Sequence, residues 1–261
     1  MNGPGRYGAD LSVAVRSLRR PVTGRVFFLH LPKAGGTSIM RALRLAMGPR
    51  HLLRPTAQFL LSVTASDAMA AQAGLTRRQA RDVLLQYALA DARARFVGGH
   101  FWFHEAIFDP RDEPWHPVTL LRDPVDLFFS NYFYNLDSER KTQRITQPLE
   151  EFVESERASV LAVDQVRRLV PAEPSTDPRS DAGVDQAIAN LGRFAVVGVL
   201  EDLERFGDAY AARFGPRPSF GQRNTGEVRR RAAVPDAVRR RVVELCEPSR
   251  RLYEAARDRS R

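Results

Sequence analysis

Lysine is nearly absent from this 261-residue chain: only Lys33 and Lys141 stand among forty basic residues. The formal charge of +9 is therefore almost wholly arginine. Most of these arginines fall at helical spacing, as solvated helix faces do. With no recognisable nucleic-acid module in the chain, charge alone is no ground for a nucleic-acid partner. Cysteine is scarcer still. The single Cys246 excludes an internal disulfide and any cysteine-based metal cluster. Long apolar runs are missing too: no segment reaches the roughly 20 residues that span a bilayer. Residues 1–20 carry no signal-peptide hydrophobic region. These absences lead to the expectation of a soluble, cytoplasmic protein without stable membrane insertion. No internal repeat is visible, and a 43% hydrophobic content is ample for a core.

Against so arginine-rich a background, the placement of Lys33 is informative. It lies in VFFLHLPKAGGTS, residues 26–38, where an apolar run meets a glycine turn and an apolar-periodic segment follows. Strand, glycine turn and helix together present backbone N–H groups to an anion at a helix N-terminus. Gly35 and Gly36 let the main chain close on a phosphate. The amides of Ala34 to Ser38 then serve as donors, and Thr37 and Ser38 add hydroxyls that can also cap the helix. Lys33 contributes a compact ammonium where a guanidinium fork would be a poorer fit. It precedes the glycines, however, whereas the nucleoside-triphosphate loop has the order G-x-x-x-x-G-K-[ST].

Four short apolar strands are expected at 26–31, 95–98, 117–121 and 194–200. Helical patterns cover 37–47, 57–73, 77–93, 124–135, 148–156, 159–170, 201–213, 235–246 and 249–258. Thr76 is the expected N-cap of the third pattern, with Ala80, Val83, Leu84 and Tyr87 on one face. Asp123 is the expected cap of the fourth, with Pro124 in its first position. Residues 1–24 read as a loose arm and 25–261 as one domain. Alternating strands and helices predict an α/β fold, a short parallel sheet flanked by helices in three layers. In such sheets ligands sit beyond the carboxyl ends of the strands. Lys33, His100 and Arg122 all follow strand ends.

Arg122 opens a second motif, RDPVDLFFSNY, with Ser130 two turns into the following helix. A guanidinium and a hydroxyl so placed can hold a second phosphate. The two motifs together resemble those of the carbohydrate sulfotransferases related to the heparan 2-O- and 6-O-sulfotransferases. The first is similar to that family's 5′-phosphosulfate loop, the second to its 3′-phosphate motif. Leu127 departs from the pattern, which often has a basic residue there. The resemblance implies a P-loop-like fold and a sulfotransferase that uses 3′-phosphoadenylyl sulfate (PAPS) as donor and releases adenosine 3′,5′-bisphosphate (PAP). The acceptor it implies is a hydroxyl on a carbohydrate or glycosylated small molecule.

The residues suit that chemistry. In-line sulfuryl transfer needs positioning and charge stabilisation rather than a metal, and no Asp stands after a strand in the manner of a magnesium ligand. Lys33 is placed to neutralise the leaving phosphate oxygen. His100, after Gly98-Gly99 and beside Phe101, Trp102 and Phe103, is the first choice of base, since imidazole titrates near neutrality. The segment also resembles that of the catalytic histidine in the 2-O-sulfotransferases. His104 and Glu105 are substitutes, and Phe101, Trp102, Phe103 and His104 are candidate acceptor contacts. His30 reads as a packing residue. Asn224 and Thr225 resemble a late family loop that closes over the nucleotide. Two other readings remain at this stage: a P-loop small-molecule kinase and a non-catalytic nucleotide-binding module.

Overall fold

A computed structural model of the chain describes residues 22, 24–48, 57–137, 144–171, 176–221 and 234–259. Five strands, β1 (Arg25–Leu29), β2 (Gln58–Leu60), β3 (Phe96–Gly99), β4 (Trp115–Leu121) and β5 (Val196–Val199), form one sheet in the order β2-β3-β1-β4-β5. Every pairing is parallel. The α/β class and flanked parallel sheet expected from the sequence are present. β1 is central. The chain leaves it on one side to build β2 and β3, then crosses to the other for β4 and β5, so a crevice is expected beyond its carboxyl end.

Period-two alternation along β1 feeds both faces of the sheet. Phe27 and Leu29 pack with Leu85 and Leu89 of α3 (Arg77–Ala90), Leu191 of α8 (Asp181–Leu191) and Leu252 of α11 (Glu247–Arg259). Val26 and Phe28 pack on the opposite side with Ile39 and Leu43 of α1 (Gly36–Ala46) and with Phe206 and Tyr210 of α9 (Leu203–Phe214). A third cluster joins α4 (Pro124–Leu136), α5 (Leu149–Phe152), α6 (Glu156–Ala162) and α10 (Asp236–Leu245) around Phe128, Phe152 and Val242.

Caps follow local chemistry. The Thr76 hydroxyl accepts from the Gln79 amide at 3.2 Å in a full capping box, and Asp123 accepts from the Asp126 amide at 3.0 Å ahead of Pro124.

Several expectations are corrected. The helix expected over 57–73 begins only at Val63, capped by Ser62, because Gln58–Leu60 pairs with β3 as an edge strand. Three residues are too few to show a strand period. The 148–156 pattern is helical only over α5, and the 159–170 pattern divides into α6 and α7 (Asp164–Leu169). No sequence pattern was assigned to most of α8. On α3, Val83 and Tyr87 face outward, Tyr87 being 66% exposed, while Ala80, Arg81, Leu85, Ala88 and Leu89 are buried. A buried arginine on that face inverted the apparent apolar stripe.

Gly198 of β5 lies against Phe206 of α9, where a Cβ would come within 2.5 Å of Cδ2 and 2.9 Å of Cβ. The phenylalanine cannot swing its own Cβ away. Gly198→Ala is expected to lower stability by about 1–3 kcal/mol through overpacking, read as a shift in urea midpoint with unchanged slope.

Candidate active site at the carboxyl edge of the sheet

The glycine turn follows β1. Lys33 has φ +62°, the only positive value at a non-glycine among the described residues, and Gly35 has φ +77°. Lys33 and Gly35 flank Ala34, whose amide donates to the Leu31 carbonyl at 3.3 Å and so is engaged within the turn rather than offered to an anion as expected; the donors left are the amides that follow it. Gly35 is the N-cap of α1, and no side chain caps that helix. Thr37 and Ser38 stand within its first turn rather than at the cap expected for them. Gly35 suits the turn by its φ, and a Cβ there would also have to displace the end of the Leu200 side chain, 2.6 Å away at Cδ1. The first-turn amides of α1 have no intrahelical acceptor, so the turn has the donors that an anion needs.

Arg122, at the end of β4, ties the second motif to the first. Its Nη1 donates to the Lys33 carbonyl at 2.8 Å. The Arg122 peptide is gripped from both sides by the buried Gln165 of α7: its N–H donates to Oε1 at 3.0 Å, and its carbonyl accepts from Nε2 at 2.9 Å. The next amide, of Asp123, donates to Glu201 Oε1 at 3.2 Å, and Glu201 Oε2 accepts from the Tyr253 hydroxyl at 3.0 Å. Ser130 is only 1% exposed on α4, one turn before Tyr134. The Lys33 ammonium sits 4.1 Å from the Tyr134 ring centroid, in cation–π range. Leu127, the departure in the second motif, is buried with the apolar side of α4.

His100 follows β3, next to β1. Its Nδ1 lies 2.8 Å from the His30 carbonyl. A carbonyl only accepts, so Nδ1 carries the proton and the lone pair resides on Nε2. Among the described residues no hydrogen bond engages that Nε2. The His100 carbonyl is held by Arg81 Nη1 at 2.9 Å and Arg168 Nη1 at 3.3 Å, both from largely buried side chains. Burial lowers the His100 pKa to about 4, opposed by the bond to His30 and reinforced by Arg168 and Arg81. The imidazole is neutral at pH 7, as a general base must be.

The substitutes fare differently. His104 Nδ1 accepts from the Ala106 amide at 3.0 Å, so its basic nitrogen is occupied in capping a 3₁₀ turn, Glu105–Phe108. Glu105 is forked with Arg193 at 3.0 and 2.9 Å on the surface. Phe101, Trp102 and Phe103 are 0%, 5% and 1% exposed, so their expected stacking on an acceptor is corrected to packing. Arg168 lies 4.2 Å from the centre of the Trp102 ring. Asn224 and Thr225 lie outside the described residues.

Lys33, His100 and Arg122 thus meet at the ends of three adjacent strands. Sequence reasoning missed Gln165, Arg81, Arg168 and Tyr134. Two are arginines indistinguishable among so many; these and Gln165 are supplied by helices whose approach no motif encodes, while Tyr134 lies two residues past the end of the second motif. Among the described residues no group of three or more His, Cys, Asp or Glu side chains could hold a metal ion, and no helix is long and apolar enough to cross a membrane. No protein-family model matches the chain, and no curated protein matches it.

Burial also lowers the His30 pKa well below the ordinary imidazole value. An unfolded chain binds a proton at each histidine near pH 6.5, which native His100 refuses until about pH 4. Stability attributable to these groups is complete above pH 6.5 and falls as pH drops through that window, by about 3 kcal/mol for His100. Urea unfolding at pH 7, 5.5 and 4.5 should show the slope, and His100→Gln should flatten it. Equal slopes in both proteins would contradict the assignment.

Proposed function

We propose that this chain is an O-sulfotransferase that moves a sulfuryl group from PAPS to a hydroxyl on a sugar or glycosylated small molecule. One observation carries the reading. The Arg122 guanidinium bridges to the Lys33 carbonyl, joining two anion-binding elements on neighbouring strands beside a neutral His100 with an open Nε2 lone pair. Two anion elements suit a donor with phosphate groups at both ends of its ribose, and the lysine-first order separates the turn from triphosphate loops.

In this mechanism the amides of residues 35–38 hold the 5′-phosphate, and Arg122 with Ser130 serves the 3′-phosphate. The acceptor oxygen attacks sulfur in line with the bond to the 5′-phosphate oxygen. As the new S–O bond forms, the old one breaks and its electron pair stays on the phosphate, where the Lys33 ammonium neutralises it. The acceptor proton passes to His100 Nε2. A positioned base of this kind is worth about 10²–10⁴-fold in rate. The products are the sulfate ester and PAP.

The base is weak in the unliganded protein, which tells something of the timing. An anionic donor bound beside it favours imidazolium, so donor binding raises the affinity of His100 for the acceptor proton.

PAP at about 100 times its Kd should stabilise the fold by about 2.7 kcal/mol, with a much smaller effect from ATP and Mg²⁺. Lys33→Ala and Arg122→Ala should each reduce the PAP shift, and His100→Ala should retain it while abolishing transfer. Equal stabilisation by both nucleotides, or none by PAP, would overturn the sulfotransferase reading in favour of a kinase or an unrelated function.

A further inference from the structure

His30 ends the run into the glycine turn, directly before Leu31-Pro32-Lys33. It touches His100 in two independent ways. Its carbonyl accepts the Nδ1–H, and its ring lies 4.1 Å from the His100 ring, centroid to centroid, at an interplanar angle of 32°. The His30 ring is also stacked on Phe28 at 5.7 Å and 10°. Its Nε2 is buried and has no hydrogen-bond partner among the described residues. An unsatisfied buried nitrogen costs free energy that a phenylalanine would avoid, and the packing here is that of an aromatic ring.

We propose that His30 is the positioning residue for His100: its carbonyl selects the tautomer and its ring sets the orientation in which Nε2 faces the acceptor. The inference rests on the reading of His100 as the base. In serine hydrolases a buried carboxylate holds the imidazole in its working tautomer and supports the imidazolium. Here a backbone oxygen performs the first task. The π face of a neutral His30 performs part of the second, since an aromatic face attracts a neighbouring cation.

Around His100 the charged groups are Arg81 from α3 and Arg168 and Asp164 from α7, with the neutral His30 just after β1. The arginines oppose protonation, the aspartate favours it, and neither arginine touches the ring nitrogens. Their guanidinium groups hold the His100 carbonyl. The side chain is left to His30. The same residue sits three positions before Lys33, so any shift of the glycine turn on donor binding is transmitted to the base through one short stretch of chain.

The experiment uses full-length protein with ¹⁵N-labelled histidine. In the wild type, His100 is expected as a single Nδ1–H tautomer with a depressed titration. His30→Ala keeps the carbonyl and removes the ring. Without the ring to hold it in line with that carbonyl, His100 should turn away from the bond that fixes its tautomer, show mixed tautomers and titrate closer to pH 6.5, with PAP affinity within about twofold and turnover down about tenfold or more from misorientation. His30→Phe restores the ring without the nitrogen, and should recover both the tautomer and the turnover. An unchanged His100 spectrum in His30→Ala, or a defect that His30→Phe fails to rescue, would overturn the positioning role. Should the tautomer respond as expected while the wild type binds no PAP, the positioning of His100 stands and the sulfotransferase reading falls.

Discussion

One hydrogen bond, from Arg122 Nη1 to the Lys33 carbonyl, is the constraint on which the rest of the site depends. A lysine at φ +62° is held in a conformation that costs about 1–2 kcal/mol relative to the right-handed region. A hydrogen bond from a charged donor contributes about 1.5–3 kcal/mol, enough to offset it. The donor must itself be fixed, and Gln165 does this by pairing with both halves of the Arg122 peptide. The strain in the turn is therefore sustained from α7, through β4, across to β1. Losing the guanidinium releases the glycine turn from β4.

The same helix reaches the opposite side of β1. Arg168, three residues after Gln165, holds the His100 carbonyl, and its own carbonyl accepts from the Phe103 amide at 2.7 Å. One short helix thus clamps the residues after β3 and those after β4 while the glycine turn lies between them. Buried guanidinium groups beside a buried imidazole also set its electrostatics. They add to the burial of the ring, the larger cause, which lowers the His100 pKa to about 4 and keeps the imidazole neutral at pH 7. Neighbouring acids, Asp67 for Arg81 and Asp164 for Arg168, compensate the buried charge, as buried cations require.

Much of this was legible in the residues because it rests on short-range chemistry. The strand–turn–helix layout, the caps at Thr76 and Asp123, and the parallel α/β class all follow from local pattern. So did the choice of Lys33, His100 and Arg122, since polar residues immediately after buried apolar strands need a reason to be there. Other elements were hidden. Gln58–Leu60 becomes a strand only because β3 lends it hydrogen-bond partners. Phe101, Trp102 and Phe103 look like a platform in sequence, yet their rings fill the space that α3 and α7 enclose. Arg81 and Arg168 are chemically indistinguishable from dozens of surface arginines until they are buried.

By itself, then, the sequence determined which segments are strands buried on both faces, where the main chain turns tightly at glycine, and which polar groups stand at those turns. These are properties of neighbouring residues: apolar period, missing Cβ atoms and cap chemistry. Only the tertiary structure decided which of those groups meet, which nitrogen of His100 carries the proton, and why His104 and Glu105 are engaged elsewhere. Apart from His104, which caps its own 3₁₀ turn, each of those outcomes depends on a partner far away in the chain. His30 is 70 residues from His100, and Lys33 is 89 from Arg122. A hydrogen bond across that separation exists only once the sheet has brought the strand ends together.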